Sequence, residues 1–363
     1  MANYDLTDLA VKMIAPNNHV IVDETDLPSV VVYIPKFKLS DVLTAGDSST
    51  HPAFIVNGTE IPGFYISKYQ NCVHSGVAYS LPAQDPGVNI NFDNARARCE
   101  AKGNGWHLTT AAEWAAIALW CKKNGFQPLG NNNYGKDSSE NNYRAIPTSK
   151  DGANTGRVAT GTGPLTWYHD KTLGGIADLN GNVNEWLGGI RFVWGELQIL
   201  ANNDAADPDN PQNATSEKWK AIDAATGDLV TPECKTTDNS VKSSGNTLKL
   251  DFVSSAWKWV TGITGTPGAN NCSFESVTAD AGISSAALLK LRALALLTDS
   301  SFTAGDYNGD WFYMDNSQSE RCVSRGGNWA YSGEAGVFSL YHSTRSYTYP
   351  DIGFRSAYIP EIG

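Results

Sequence analysis

The residues of this chain that could do covalent or metal chemistry are six cysteines and six histidines. No two cysteines form a CxxC pair, and no two histidines have the HExxH or HxxxH spacing of a metal site on a helix. The chain also has no GxSxG turn, no P-loop and no GxGxxG segment. The sequence therefore predicts no catalytic residues. It favours cysteines that are reduced and buried. One or two disulfides are the alternative if the mature protein works outside a cell.

One segment, GGIADLNGNVNEW at residues 174–186, could gather oxygen atoms around a cation. If the chain turns tightly at Gly181, the side chains of Asp178 and Glu185 converge. The backbone carbonyls of Gly181 and Val183 would join them, and such oxygens are the ligands that Ca²⁺ prefers. Two interpretations stay open: a Ca²⁺ site, or a structural segment in which Glu185 caps backbone N–H groups and the tryptophan fills the core.

A second stretch, residues 325–357, has the composition of a binding surface. Its ends, RGGNW and IGFR, combine glycines with large apolar residues, so we expect Trp329, Phe338 and Phe354 to be buried anchors. The GVFSL segment alternates as a half-buried strand does. Between the anchors, the run 341–351 has no core period and holds three tyrosines. Because tyrosine supplies contact area at low cost in entropy, we expect these side chains to be largely exposed and to bind a ligand.

The elements that must position these stretches are helices and short strands. A helix is predicted at about 92–102, ending before Gly103, and another from Thr110 to about 125, because Thr110 and Glu113 form a capping box. A third, apolar helix is predicted from 284 or 285 to 297. Strands are predicted at 30–39 (broken by Pro35, so bent or at an edge), 63–70, 192–200, 247–253 and 256–260, the last two as a hairpin.

The anchors of the 325–357 stretch resemble the variable region of proteins diversified by diversity-generating retroelements, in which RGG(N/S)W, GVF(S/A)L and GFR frame the mutable positions. HLTTAAEW at 107–114 and the 174–186 segment are similar to the (R)LPTEAEW and G(V/I)xDxxGNVxEW segments of the formylglycine-generating-enzyme family. The resemblance spreads from about Gly63 to the C terminus. It implies an α+β C-type lectin fold of the formylglycine-generating-enzyme-like subtype, loop-rich with a long insertion. Family members with calcium use the 174–186 segment.

The resemblance also implies a domain organisation and a set of binding residues. We expect residues 1–50 to be an arm or small β-element and 51–363 a C-type-lectin-like domain, with an insertion at about 188–307 and the variable region at about 325–357. In the family, adenine-directed mutagenesis of AAY codons yields a set of amino acids without Trp, Met, Lys, Gln and Glu, which excludes Glu334. The candidate ligand-binding residues are Ala330, Tyr331, Tyr341, His342, Ser343, Thr344, Tyr347, Tyr349, Pro350 and Asp351.

We expect the aromatic members of this set, His342 and Asp351 to form one contiguous patch. An enzyme is the less favoured alternative. The enzymatic branch of the family depends on reactive cysteines in its C-terminal segment, whereas residues 325–363 contain none and Cys322 has no partner nearby. A lectin-type calcium sugar site would need an EPN or QPD triplet with WND, and the chain has neither.

The net charge of −11 argues against binding to nucleic acid or to an anionic membrane. We expect no signal peptide and no membrane span, because the N terminus lacks basic and apolar signal regions and no apolar run approaches about 20 residues. We expect a binding protein carried on a virus or phage tail, or otherwise located in the cytoplasm. Its expected partner is a variable protein or glycan ligand on a host cell. The sequence does not decide whether the protein forms an oligomer. A non-diversified cellular lectin-like adhesin stays the alternative function.

Overall fold

The computed structural model describes residues 4–360. Residues 1–3 and 361–363, the outer ends of the expected arm and domain, lie outside the described residues. Within 4–360, the α-helices are α1 (Asp5–Ile14), α2 (Leu39–Val42), α3 (Phe92–Glu100), α4 (Ala111–Lys123) and α5 (Ser285–Ala293). None of the described helices is long and apolar enough to cross a membrane.

The strands are short and numerous. In chain order they are β1 (Asn18–Val22), β2 (Pro28–Pro35), β3 (Ile55–Val56), β4 (Thr59–Glu60), β5 (Gly63–Ser67), β6 (Cys72–His74), β7 (Val77–Tyr79), β8 (Trp106–Leu108), β9 (Lys150–Asp151), β10 (Asn154–Thr155), β11 (Asn184–Val193), β12 (Glu196–Ile199), β13 (Ala221–Ile222), β14 (Leu229–Val230), β15 (Lys249–Val253), β16 (Ala256–Val260), β17 (Ala269–Ser273), β18 (Thr278–Ala279), β19 (Trp311–Asp315), β20 (Arg321–Arg325), β21 (Leu340–Ser343), β22 (Ile352–Phe354) and β23 (Ser356–Tyr358).

Two sheets organise the molecule. The smaller has the order β1-β2-β5-β23-β8, so the last strand of the chain lies between two early ones. The larger has the order β17-β19-β21-β20-β11-β12-β15-β16-β18, with β22 parallel to the start of β11. Both the start of the expected binding stretch, on β20, and its end, on β22, therefore pair with β11.

Helix α4 lies in the core. Its capping box is formed as expected: Thr110 Oγ1 accepts from the Glu113 N–H at 3.1 Å, and the Thr110 N–H donates to Glu113 Oε2 at 3.0 Å. Nearly every side chain of α4 is buried. Helix α3 begins after the Asn91 cap and ends before Gly103, also as expected.

Three sequence predictions about strands and helices need correction. Strand β2 ends at Pro35, short of the predicted 39, and it lies between β1 and β5, so it is not at an edge. The predicted strand 192–200 is a hairpin, because Trp194 and Gly195 both have positive φ and turn β11 into β12. Helix α5 ends at Ala293, before the predicted 297, where the chain turns at Ala295 with a φ of 50°. The 249–260 hairpin forms as predicted.

The GVFSL segment is a buried turn, not a strand, until Leu340 begins β21. Its backbone groups find partners outside any ladder: the Phe338 N–H donates to Asp310 Oδ2 at 2.7 Å and the Gly336 N–H donates to the Gly326 carbonyl at 3.2 Å. The alternation of apolar and polar residues is the same in a strand and in this turn, so the pattern alone could not separate them.

Candidate ligand-binding site

The start of the binding stretch is held by buried groups on β20 and just after it. The Arg325 guanidinium donates to the carbonyls of Phe338, Leu294 and Ala295 at 3.1, 3.3 and 2.8 Å. Two glycines follow with φ of 93° and 79°, and Trp329 is then 7% exposed with its indole N–H donating to Asp151 Oδ2 at 3.1 Å. These contacts fix where residue 330 leaves the core.

The end of the stretch is held by β22 and Arg355. Arg355 donates from Nε to Glu185 Oε2 and from Nη2 to Oε1, both at 2.9 Å, and both side chains are at most 1% exposed. Its remaining donors satisfy the carbonyls of Ser67, Lys68 and Ala177. Phe354 is fully buried, as are Phe338 and, nearly so, Trp329, which confirms the expected anchors.

The proposed Ca²⁺ ligands converge only in part, and on a side-chain amide: Glu185, Gly181 and Val183 supply the expected oxygens, but Asp178 supplies its backbone carbonyl instead of its carboxylate. Gln70 Nε2 donates toward the carbonyls of Asp178, Gly181 and Val183 at 3.2, 3.3 and 3.2 Å, and to Glu185 Oε1 at 3.1 Å. The orientation of the amide is set by its oxygen, which accepts from Asn182 Nδ2 at 2.8 Å.

The carboxylates of this segment are also engaged elsewhere. Asp178 Oδ2 accepts from the Gly161 N–H at 2.7 Å, and burial raises the pKa of Asp178 to about 6. Glu185 is bound by Arg355 rather than by backbone N–H groups, so the capping interpretation also fails in that detail, while the fully buried Trp186 fills the core. N–H donors already face these oxygens, so the residues present do not fit Ca²⁺. Among residues 4–360, no cluster of three His, Cys, Asp or Glu could hold a metal ion.

The ten candidate ligand-binding residues differ in exposure. Ala330, Thr344, Tyr349 and Pro350 are exposed, and Tyr349 presents 56% of its surface. Tyr341 is only 5% exposed, so the expectation that residues 341–351 are largely exposed is wrong for it. The reason is that Tyr341 lies on β21, inside the large sheet, with its hydroxyl donating to the Glu334 carbonyl at 3.3 Å. The half-buried candidates are Tyr331, His342, Ser343, Tyr347 and Asp351.

Ring contacts join the aromatic candidates into two groups. The Tyr331 and Tyr341 rings stack with centroids 4.7 Å apart, and those of Tyr347 and Tyr349 lie 5.9 Å apart. A further tyrosine, Tyr313 on β19, lies 6.5 Å from Tyr341 and 4.7 Å from the His342 ring. We call Tyr313 and the candidate residues Tyr331, Tyr341, His342, Tyr347 and Tyr349 the aromatic surface.

The two groups of rings are linked through Asp351. Burial raises the pKa of Tyr331, the negative charge of Asp351 adds to the rise, and a hydrogen bond from the Asn184 side chain opposes it. Burial also raises the pKa of Tyr347 to about 12, again with a contribution from Asp351. Asp351 thus lies close to a tyrosine of each group.

The run 341–351 is held at its middle as well as at its ends. Arg345 binds Glu320 through two bonds of 2.9 Å and Asp93 through one of 2.8 Å, and it stacks 4.9 Å above the Phe92 ring. The Asn89 N–H donates to the Tyr349 carbonyl at 3.1 Å. The run is therefore a docked segment, and Tyr347 packs on the apolar cluster that includes Phe92.

Sequence reasoning missed three residues of the site. Tyr313 belongs to the segment WFYM, whose alternation could have placed it on one face of a strand beside the candidates. Asn184 and Asn328 lie in the two recognised motifs but carry no signal that distinguishes a side chain facing the site from a structural one. Asn328 Nδ2 donates to Asp351 Oδ2 at 2.7 Å and fixes the position of that carboxylate.

Part of the chain matches a known protein family. Residues 25–190 match the sulfatase-modifying factor enzyme 1-like domain. No curated protein matches the chain. The chain has a C-type lectin-like fold, with both helices and strands. The match begins at residue 25, before the expected start of the domain at 51, and that boundary stays a prediction.

Solved structures with similarity to the chain share little sequence with it. The Treponema denticola variable protein 1 is 14% identical with a TM-score of 0.35, over 95% of this chain and 100% of that one. PvdO from Pseudomonas aeruginosa is 12% identical with a TM-score of 0.37, over 93% and 97%. The Major Tropism Determinant M1 variant is 10% identical with a TM-score of 0.31, over 94% and 71%. These identities and TM-scores are low.

Proposed function

We propose that this protein is a variable ligand-binding protein that displays a diversified surface on a C-type-lectin-like scaffold. The observation that carries the proposal is the aromatic surface itself: rings from the candidate positions meet on a segment whose anchors are fully or nearly buried. Such a division lets the surface residues change while the frame stays folded. Tyrosine clusters at partly exposed positions are typical of binding hot spots.

The chemistry of the cysteines supports binding over catalysis. Burial raises the pKa of Cys322 to about 12, so this thiol, the nearest to the C-terminal segment, stays protonated at neutral pH. All six cysteines are free and buried. Because the thiolate is the nucleophile and the metal ligand in cysteine chemistry, these residues are poorly placed for a reaction of the formylglycine-generating type.

The carrier and the partner follow from the resemblance of the variable region. We propose a virus or phage tail as the carrier and a protein on the host cell surface as the partner. The protein's negative charge is compatible with a basic patch on such a receptor.

Sequencing many copies of the gene from one population tests diversification directly. We expect amino-acid replacements to concentrate at the ten candidate positions and to spare Trp329, Phe338 and Phe354. The loop at residues 202–213 is the matched control, because it is polar and contains no candidate position. If replacements were spread evenly over both segments, or were absent from both, the protein would instead be a non-diversified lectin-like adhesin.

A display library tests binding. One library randomises Tyr331, Tyr347, Tyr349 and Thr344, and a control library randomises four positions of the 202–213 loop. Both are panned against the same set of purified proteins, and folding of each library is checked by protease resistance. We expect specific binders from the first library only. Equal yields from two equally folded libraries would contradict a dedicated binding surface.

A further inference from the structure

Two buried oxygen atoms beside the aromatic surface have no hydrogen-bond partner. They are Asn184 Oδ1 and Asp351 Oδ1, and neither finds a donor among residues 4–360. Asn184 is 4% exposed, so its side chain is almost completely removed from solvent. A buried acceptor without a donor destabilises the folded protein, and a ligand with N–H groups would recover that cost.

The two residues that carry these oxygens are joined through the backbone. The Asn184 N–H donates to the Asp351 carbonyl at 2.8 Å, at the point where β22 begins its parallel pairing with β11. The Asn184 side chain reaches toward the Tyr331 hydroxyl, and the Asp351 charge is felt at both Tyr331 and Tyr347. We call Asn184, Tyr331, Tyr347 and Asp351 the acidic recess.

The acidic recess offers acceptors and aromatic rings but no cation. The Asp351 carboxylate accepts from the neutral Asn328 side chain and from its own backbone N–H, and it forms no ion pair within the described residues. The arginines that hold the neighbouring loop are already paired, Arg345 with Glu320 and Arg157 with Asp85. A carboxylate beside tyrosine rings is the combination that binds ammonium and guanidinium groups, through charge-assisted hydrogen bonds and cation–π contact.

We propose that the acidic recess binds a positively charged, hydrogen-bond-donating group: the guanidinium or ammonium group of a basic side chain on a protein ligand. The inference rests on the proposed function, since it names the class of ligand for the same surface. Both orphan oxygens are buried, so the group reaches them when a surface tyrosine ring moves aside. Asn184 belongs to the scaffold, whereas Asp351 is one of the variable positions. The preference for a positively charged ligand is therefore specific to a surface that carries Asp351.

Small probes test the proposal without the natural ligand. Butylguanidinium and butylammonium represent the two basic side chains, butylurea is the neutral match, and glucosamine represents a cationic glycan. Binding is followed through the resonances of isotope-labelled tyrosine rings. We expect saturable shifts at Tyr331 and Tyr347 with the two butyl cations and none with butylurea.

Two variants make the test specific. Asp351→Asn should weaken butylguanidinium binding by roughly tenfold or more, because it removes the charge from the hydrogen bond but keeps its shape. Asp209→Asn makes the same change at an exposed carboxylate of the 202–213 loop, away from the aromatic surface, and it should have no effect. Melting curves of both variants verify that they are folded.

The outcomes separate this proposal from the proposed function. Equal binding of butylurea, no binding of any probe by the wild type, or full affinity in Asp351→Asn would each overturn the cation-binding recess. Tighter binding of glucosamine than of either butyl cation would overturn a protein side chain as the source of the charge. None of these results touches the sequencing and library tests, on which the proposed function stands or fails.

Discussion

At the scale of single residues, the aromatic surface contains a half-buried imidazole, His342, whose two ring nitrogens are shielded from solvent. Neither ring nitrogen of His342 has a hydrogen-bond partner within residues 4–360, and the ring packs 4.7 Å from that of Tyr313. Burial, together with the positive charge of Arg321, lowers the pKa of His342 to about 4. The folded protein therefore holds this histidine neutral where an unfolded chain would begin to bind a proton.

Replacing His342 with Phe should change how stability depends on pH. The pKa is depressed from 6.5 to about 4 in the folded protein, so the contribution of His342 to stability is present above pH 6.5 and is lost as the pH falls toward 4. The loss is on the order of 2–3 kcal/mol, since one pKa unit corresponds to about 1.4 kcal/mol. Urea unfolding of wild type and His342→Phe at several pH values measures it. Parallel stability curves between pH 4 and 6.5 would contradict the neutral, half-buried histidine.

At the scale of elements, the turn after β20 depends on two glycines with positive φ, and the second of them, Gly327, leaves no room for a side chain. Gly327 has a φ of 79°, and a Cβ added there would lie 2.5 Å from the Cβ of Ala335 and 2.8 Å from its Cα. This close approach lets the chain that follows Gly327 pass under the buried GVFSL turn. The position of Trp329, and with it the start of the variable residues, follows from that packing.

Gly327→Ala should destabilise the protein more than the same change at a glycine with open space. Gly125 is the matched control, because its φ is 69° and nothing lies within 4 Å of the added Cβ. Both variants pay roughly 1–2 kcal/mol for an L-residue at positive φ. Gly327→Ala should lose about 1–3 kcal/mol more through overpacking against Ala335. Equal melting temperatures for the two variants would show that the approach to Ala335 is not tight.

At the scale of the whole molecule, the halves of the chain meet at a buried polar centre. Gln70, at the end of the smaller sheet, donates to the 178–185 segment, and Glu185 of that segment binds Arg355. The centre thus connects the early strand β5, the strand β11 and the end of the variable region. An amide and a guanidinium supply the N–H donors that those oxygens require.

Removal of the Gln70 amide, but not removal of divalent metal, should therefore destabilise the fold. Gln70→Leu leaves several buried oxygens without a donor and should cost at least about 2 kcal/mol. Gln84→Leu is the control, because the Gln84 amide makes only a hydrogen bond at the surface, and it should change stability by no more than about 0.5 kcal/mol. We expect a chelator to leave the melting temperature of the wild type unchanged. A lower melting temperature in the presence of a chelator would show instead that a divalent cation is bound at this centre.

The sequence by itself determined the features that depend on neighbours a few positions apart. The capping box of α4, the 249–260 hairpin and the buried anchors Trp329 and Phe354 follow from local chemistry and from the apolar character of single residues. The fold class was predicted in a different way, from the resemblance of the motifs at residues 107–114, 174–186 and 325–355 to those of known families.

Only the tertiary structure decided which candidate side chains reach the surface and what faces the oxygens of the 178–185 segment. Tyr341 is buried because β21 joins the interior of the large sheet, and Tyr313 joins the aromatic surface because β19 lies next to β21. Gln70 lies 113 positions from Val183 in sequence, and Arg355 lies 170 from Glu185. Contacts over such separations depend on how the sheets assemble, and no local pattern in the sequence encodes which partner arrives.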